Sequence, residues 1–179
     1  MTLEIHQFPC LSDNYGYLLH NSVTDETAAI DTPDAKEYLK QAEAKGWTIT
    51  HIWNTHWHPD HAGGNVEIVE ATGARVLAPK EVEKLSPIDR VVEHGDTVNL
   101  GEHRADVIDV SGHTNGHIAF HVVEEGIAFV GDSVFALGSI WFRGTNAQAK
   151  IDPAFAKQRL EPFIERRSIR GHVLHQKGD

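Results

Sequence analysis

Four residues with metal-ligating side chains, His56, His58, Asp60 and His61, fall within six positions of one another. In an extended segment, side chains two positions apart point the same way, so the imidazoles of His56 and His58 can reach one ion. Asp60 and His61 follow on the next turn and offer a carboxylate oxygen and another imidazole nitrogen to a second ion nearby. Any one of these residues could sit in a polar loop by chance. Four within six positions point to a pair of metal ions.

Two further segments carry groups of the same kind. Ser111-Gly112-His113-Thr114-Asn115-Gly116-His117 lies between two β-type runs, and its glycines let the chain turn tightly and aim a histidine inward. Val130-Gly131-Asp132-Ser133 closes the apolar run Ile127 to Val130, which puts the Asp132 carboxylate at a strand end with two oxygens for bridging. Held this way, two divalent ions lower the pKa of a water from about 16 towards about 7 and polarise a carbonyl oxygen.

The elements that must position these groups are legible as alternating patterns. Leu3–Phe8, Tyr15–His20 and Thr27–Ile30 read as strands in an antiparallel start, punctuated by Ser12-Asp13-Asn14 and Asp31-Thr32-Pro33. Asp34–Lys45 reads as a helix, with Pro33 ahead of it and Gly46 behind. Trp47–Asn54 is β-branched and aromatic, a strand that delivers the histidines onto a strand-to-helix turn. A helix over Val66–Ala71 and a strand over Arg75–Ala78 follow, then a charged surface turn over Pro79–Leu85, with Glu81 to Lys84 as a solvated helix face. Strands are expected at Thr97–Leu100, Ala105–Val110, Ile118–Val123 and Ile127–Val130, and a last helix from Asp152-Pro153 to about Arg167. Trp47, Ile49, Ile52 and Trp53 are expected in or at the edge of the core, Trp57 as a cleft wall, and Cys10 as a packed residue.

Composition narrows the classes of partner. Sixteen Lys and Arg against 26 Asp and Glu give a net charge of −10, the wrong sign for a nucleic-acid footprint or an anionic-lipid anchor. No run approaches the roughly 18 apolar residues of a membrane span. Met1 to His6 lacks the basic and apolar regions of a signal peptide, and the lone Cys10 cannot pair within the chain, so a reducing cytosol is expected. Histidine is the compositional anomaly, with 13 residues. No linker, repeat or low-complexity tract divides the chain, so residues 1–179 are read as one domain.

Thr55-His56-Trp57-His58-Pro59-Asp60-His61-Ala62-Gly63-Gly64, Gly112-His113-Thr114-Asn115-Gly116-His117 and Gly131-Asp132 together resemble the metal motifs of the metallo-β-lactamase superfamily. Pro9-Cys10-Leu11-Ser12-Asp13-Asn14-Tyr15 and Phe142-Arg143-Gly144-Thr145 add a resemblance to glyoxalase II, the hydroxyacylglutathione hydrolases, and the likeness runs from about Ile5 to Gln148. It implies an α+β fold, a four-layer αββα sandwich with a binuclear metal site at one edge. It also implies hydrolysis of S-D-lactoylglutathione to glutathione and D-lactate, a step of methylglyoxal detoxification. By the same resemblance His56, His58 and His113 hold one ion, Asp60 and His61 the other, and Asp132 bridges them. His172, in the only Gly-His pair after Asp132, completes the second site, with His175 as the alternative, and His117 braces its loop. Asp60 and Asp132 are the catalytic carboxylates, Asp60 also orienting the nucleophile. Imidazole suits zinc, iron and nickel and carboxylates admit manganese, so the donor set leaves the metal open, with zinc first in order.

The chain departs from that pattern at its end. The family's basic residue shortly after the bridging aspartate is missing from Gly138 to Thr145, and the usual glutamate there is Arg143, which stands as a candidate clamp for a substrate carboxylate. Residues 151–179 match poorly, and the chain stops seven residues after His172, where family members continue into a helical region that contacts glutathione. A short or altered member is therefore expected. Alternative readings are a lactonase, a generic thioesterase, a mononuclear-iron persulfide dioxygenase, or a metal-binding remnant without activity. Oligomeric state is left open by the sequence.

Overall fold

A computed structural model describes residues 2–133 and 173–174. The chain opens with the hairpin β1 (Leu3–Cys10) and β2 (Asn14–Asn21), then β3 (Glu26–Ile30), α1 (Ala35–Lys45), β4 (His51–Trp53), α2 (Pro59–Ala62), α3 (Asn65–Thr72), β5 (Arg75–Ala78) and β6 (Arg90–Val91). These strands form one sheet in the order β1-β2-β3-β4-β5-β6. β1 to β3 pair antiparallel and β3 to β6 parallel, because α1 and α3 carry the chain back across the sheet between successive strands. A second sheet holds β7 (Thr97–Leu100), β8 (His103–Asp109), β9 (Ile118–Val122), β10 (Ile127–Phe129) and β11 (Val173–Leu174), in the order β11-β10-β9-β8-β7. β11 lies parallel to β10, and its neighbours are antiparallel.

The period of two along each strand sorts side chains into two cores. Tyr17, Leu19, Ala28, Ile30, Trp53 and Leu77 point from the first sheet into the space between sheets and meet Val98, Leu100, Val107, Phe120, Val122 and Phe129 from the second. Leu18, Ala29, Ile52 and Val76 alternate to the other face, where α1 and α3 cover them with Tyr38, Ala42 and Ile68. The central strands are thus buried on both faces, which is why they read as nearly continuous apolar runs. Described residues account for a helical layer and two sheets of the expected sandwich. The helix expected over 152–167 lies outside the described residues.

α1 shows why these residues make this element. Asp34 accepts hydrogen bonds from the Lys36 and Glu37 N–H groups at 3.0 and 3.4 Å, satisfying two donors that the first turn leaves open. Ala35, Tyr38 and Ala42 make the buried face, and the Tyr38 hydroxyl donates to the Ile30 carbonyl at 2.9 Å, fixing the helix to the end of β3.

Several expectations shift on the structure. The strand expected over Trp47–Asn54 is confined to His51–Trp53, because the Trp47 N–H is drawn back to the Ala42 carbonyl, at 2.9 Å, in closing α1. The expected strand over Ala105–Val110 starts earlier, at His103, and ends at Asp109. Lys80–Lys84 is a 3-10 helix and not a wholly solvated face: Val82 is fully buried and Glu81 is half-buried. Ile49, Ile52 and Trp53 are buried as expected, Trp47 packs at the edge of the core, and Cys10 is buried, its thiol pushed up to about 11 chiefly by burial.

Candidate metal centre

The site stands at the carboxyl ends of strands, where an open parallel sheet leaves a crevice. β3 ends into Asp31. β4 runs on through Asn54 and Thr55 to His56, and α2 begins one residue after His58. The β8–β9 connection brings His113 and His117, and β10 leads to Asp132.

Asp31 organises the first of these turns. It is fully buried, with φ +48, a left-handed conformation that a non-glycine residue adopts at a cost of about 1–3 kcal/mol unless its surroundings hold it. Here they do. The Thr55 N–H donates to Asp31 Oδ1 at 2.6 Å, the Thr55 hydroxyl to Oδ2 at 2.8 Å, and His61 Nδ1–H to Oδ2 at 3.0 Å. Since the Thr55 proton is committed to Asp31, Thr55 Oγ1 accepts from His56 Nδ1–H at 3.0 Å. Both histidines therefore turn Nε2 toward the crevice. A carboxylate or hydroxyl behind an imidazole in this way is the usual arrangement behind a metal-ligating histidine.

Three groups of ligand atoms converge, each within 4.8 Å: His56, His58 and His113; Asp60, His61 and Asp132; and Asp31, His56 and His61. In the first, His58 Nδ1 lies 3.1 Å from His56 Nε2 and 2.9 Å from His113 Nε2. Nitrogen ligands at 2.0–2.1 Å from a tetrahedral ion are separated by about 3.3 Å, so this spacing is close to what an ion requires. In the second, His61 Nε2 faces Asp132 Oδ1 at 3.2 Å and Asp60 Oδ2 at 3.7 Å. The other Asp132 oxygen faces His113 Nε2 at 3.4 Å, so this one carboxylate looks toward both groups.

The electrostatics fit a cation. Burial, and then the neighbouring imidazoles, hold His56 well below the ordinary histidine range, leaving it neutral and a lone-pair donor. Burial pushes His61 down too, but hydrogen bonding and charge from Asp132 and Asp31 outweigh it and raise this imidazole to about 10. His61 Nε2 is fully buried and faces Asp132 Oδ1 and Asp60 Oδ2, in a field of carboxylates that favours positive charge. A metal ion satisfies that atom and the field together. Neutral imidazoles with carboxylates make a donor set for a divalent transition metal.

His117 has a different place. Its ring stacks on His56 with centroids 4.4 Å apart and 17° between planes. Nδ1–H donates to the Ile118 carbonyl at 3.2 Å, and Nε2 accepts from the Asp132 N–H at 3.2 Å. Both nitrogens are thus engaged, and burial, then the charge of His61 and His113, lowers its pKa to about 3. It braces the segment that carries Asp132. Gly131 makes room for this: its φ is +51, and a Cβ there would meet Thr55 Oγ1 at 2.4 Å and the His117 ring at 2.8 Å.

The structure brings together His56, His58, Asp60, His61, His113 and Asp132, drawn from three separate stretches of sequence. His172, its alternative His175, and Arg143 lie outside the described residues. Trp57 is half-buried beside His58, as expected of a cleft wall. Sequence reasoning took Asp31 for part of a turn. The signal was available in an acid closing an apolar strand, the pattern that singled out Asp132. Asn14 was also unassigned; its amide donates to the Asp60 carbonyl at 3.1 Å and ties the β1–β2 turn to α2.

Comparison with known proteins agrees with this geometry. The family described as the metallo-beta-lactamase superfamily matches residues 22–170. The chain is 82% identical over 136 residues to a hydroxyacylglutathione hydrolase of Erythrobacter litoralis, and 63% identical over 137 residues to one of Hyphomonas neptunium. Each match covers 76% of this chain and 54% of the relative, so the chain spans about half the length of the curated relatives it matches. Among solved structures, that of ETHE1 from Myxococcus xanthus is 25% identical with a TM-score of 0.68, covering 98% of this chain and 76% of the other. Among the described residues, no helix is long and apolar enough to cross a membrane. The family implies binding of divalent metal, and the chain carries His and Asp groups able to provide it. With its matched region, its paired sheets and its histidine-rich edge, the chain belongs to the metallo-β-lactamase superfamily.

Proposed function

We propose that the protein holds two divalent metal ions and hydrolyses a small-molecule thioester, S-D-lactoylglutathione, to glutathione and D-lactate. The observation that carries this reading is the position of Asp132, with one oxygen 3.2 Å from His61 Nε2 and the other 3.4 Å from His113 Nε2. His56, His58 and His113 would hold the first ion, Asp60 and His61 the second, with Asp132 shared, and zinc suits this set first, then iron or manganese. The names of the relatives supply the substrate class. Bound divalent ions supply a nucleophile at neutral pH, by acidifying water, and an electrophile for the thioester carbonyl.

The chain's own residues do the rest. Thr55 and Asp31 orient His56 and His61 through their Nδ1–H groups, so that Nε2 of each ring is the nitrogen turned to the crevice, where a metal ion would take the place of the His61 Nε2 proton. His117 holds the Asp132 backbone, and through it the carboxylate. Asp60, whose side chain is 33% exposed, is the acid beside His61 that solvent reaches, and it orients the attacking oxygen. The thiolate leaves without a dedicated protein acid, because its conjugate acid, a thiol with a pKa of about 8.5, is far stronger than an alcohol.

His172 or His175 would add a further imidazole to the second group. His172 is the first assignment and His175 the alternative, and both lie outside the described residues. Metal content of the two single alanine variants separates them.

The test is elemental analysis and S-D-lactoylglutathione turnover on one purified sample. Two metals per chain, turnover lost on chelation and turnover restored by metal are expected. Two metals without turnover would remove the proposed activity while leaving the metal centre.

A further inference from the structure

His58 and His113 approach one another across 55 residues of sequence, and one short segment touches the loops of both. The 3-10 helix Lys80–Lys84 is anchored by Val82, which is fully buried in the core under the first sheet. On one side of Val82, Glu81 Oε2 accepts the Gly116 N–H at 3.1 Å, gripping the loop that carries His113 and His117. A Cβ at Gly116 would stand 3.1 Å from Glu81 Cγ and 3.3 Å from Oε2, so glycine there admits the carboxylate at this range. On the other side, Lys84 Nζ lies 4.1 Å from the centre of the Trp57 ring, a cation on an aromatic face. Trp57 stands between His56 and His58 in sequence, with its ring 4.8 Å from that of His58. Lys84 Nζ and Glu81 Oε1, 3.7 Å apart, close the chain of contacts from one loop to the other.

We propose that Glu81 is a positioning residue for the metal centre, a clasp that, with Lys84, sets the spacing of the His58 and His113 loops. This rests on the reading that His56, His58 and His113 hold an ion. Glu81 touches none of the ligand atoms; it acts through the Gly116 backbone. Its hydrogen bond with Gly116 fixes the loop in the place where His113 Nε2 meets His58 Nδ1. Outer contacts of this kind change metal affinity by about 10–100-fold when removed, even where the ligands themselves are intact. Sequence alone assigned this segment to a solvated face, since its acids and lysines match any exposed turn.

The test uses the full chain loaded with cobalt(II), whose visible absorption reports coordination geometry, with affinity measured by chelator competition. Glu81→Ala is expected to weaken the tighter-bound ion by about tenfold and to alter the cobalt spectrum, with the unfolding midpoint of the metal-free protein unchanged. Glu81→Gln, which keeps an acceptor for the Gly116 N–H, is expected to restore affinity and spectrum. Wild-type binding with an unchanged Glu81→Ala affinity and spectrum overturns the clasp alone. Equal losses in the Ala and Gln variants overturn it too. A wild-type chain that takes up no cobalt overturns the metal reading, and the clasp with it.

Discussion

Asp31 Oδ2 lies 3.0 Å from His61 Nδ1, with both side chains fully buried. The two residues are joined through the pairing of β3 with β4, which sets the end of one strand against the turn that follows the other. This contact decides which nitrogen of His61 faces Asp132, and so whether the second donor group presents a lone pair or a proton. Asp31→Asn places an amide N–H or a weaker acceptor against His61 Nδ1. Affinity for the second ion is expected to fall by about 10–100-fold with the first retained, measured by stepwise chelator competition. Loss of both ions in equal measure would contradict this assignment. Asp31→Ala leaves three buried donors without their acceptor, at about 1–3 kcal/mol each, and is expected to unfold at markedly lower urea concentration.

Asp132→Ala removes the carboxylate that looks toward both groups. Metal content is expected to fall below one ion per chain and thioester turnover to vanish. A variant that keeps two ions and full turnover would refute the shared role of Asp132.

Gly131→Ala tests the close packing behind that carboxylate. Its φ of +51 is unfavourable for alanine, and the added methyl would press on Thr55 Oγ1 and the His117 ring. A loss of about 2 kcal/mol in urea unfolding is expected, accompanied by weaker metal binding because Thr55 also supports His56. Unchanged stability would mean that the segment carrying Asp132 is less constrained than described.

Stability of the metal-free protein should depend on pH in two opposed ways. His117 titrates near 3 when folded and about 6.5 when unfolded, so the unfolded chain takes up a proton that the folded one refuses. Stability is therefore lost as pH falls from about 6.5 toward 3, at about 1.4 kcal/mol per pH unit for this one group, and neutral, buried His56 acts in the same direction. His61, raised to about 10, contributes stability that is fully present below about pH 6.5 and is lost as pH rises from there toward 10. Urea midpoints of the metal-free chain should peak near pH 6.5, and His117→Asn should flatten the acid limb. A maximum near pH 9 would contradict the protonation of His61.

Much of this arrangement was legible in the residues. Alternation in Tyr17–Leu19 and Ile118–Val122 gave the strands and their faces, and the helix over Ala35–Lys45 was marked by Pro33 ahead and Gly46 behind. The six converging His and Asp residues were legible because each stretch carries its chemistry within a few positions. Elements shorter than one period were not: α2 spans four residues and β6 two, too few for a pattern to register. Asp31 was missed because its role depends on the parallel pairing of β3 with β4, and a single acid after an apolar run is most often a turn former. Val82 was misread for a related reason, since one apolar residue among Glu81, Glu83 and Lys84 shows its burial only once the sheet beneath it is in place.

The most direct measurement is anomalous X-ray diffraction from crystals of the protein grown with zinc. Two peaks are expected, one among His56 Nε2, His58 Nδ1 and His113 Nε2, the other beside His61 Nε2 and Asp60, with the Asp132 carboxylate between them. A map without a peak at either place, under zinc in excess, would contradict the binuclear centre on which the proposed hydrolysis depends.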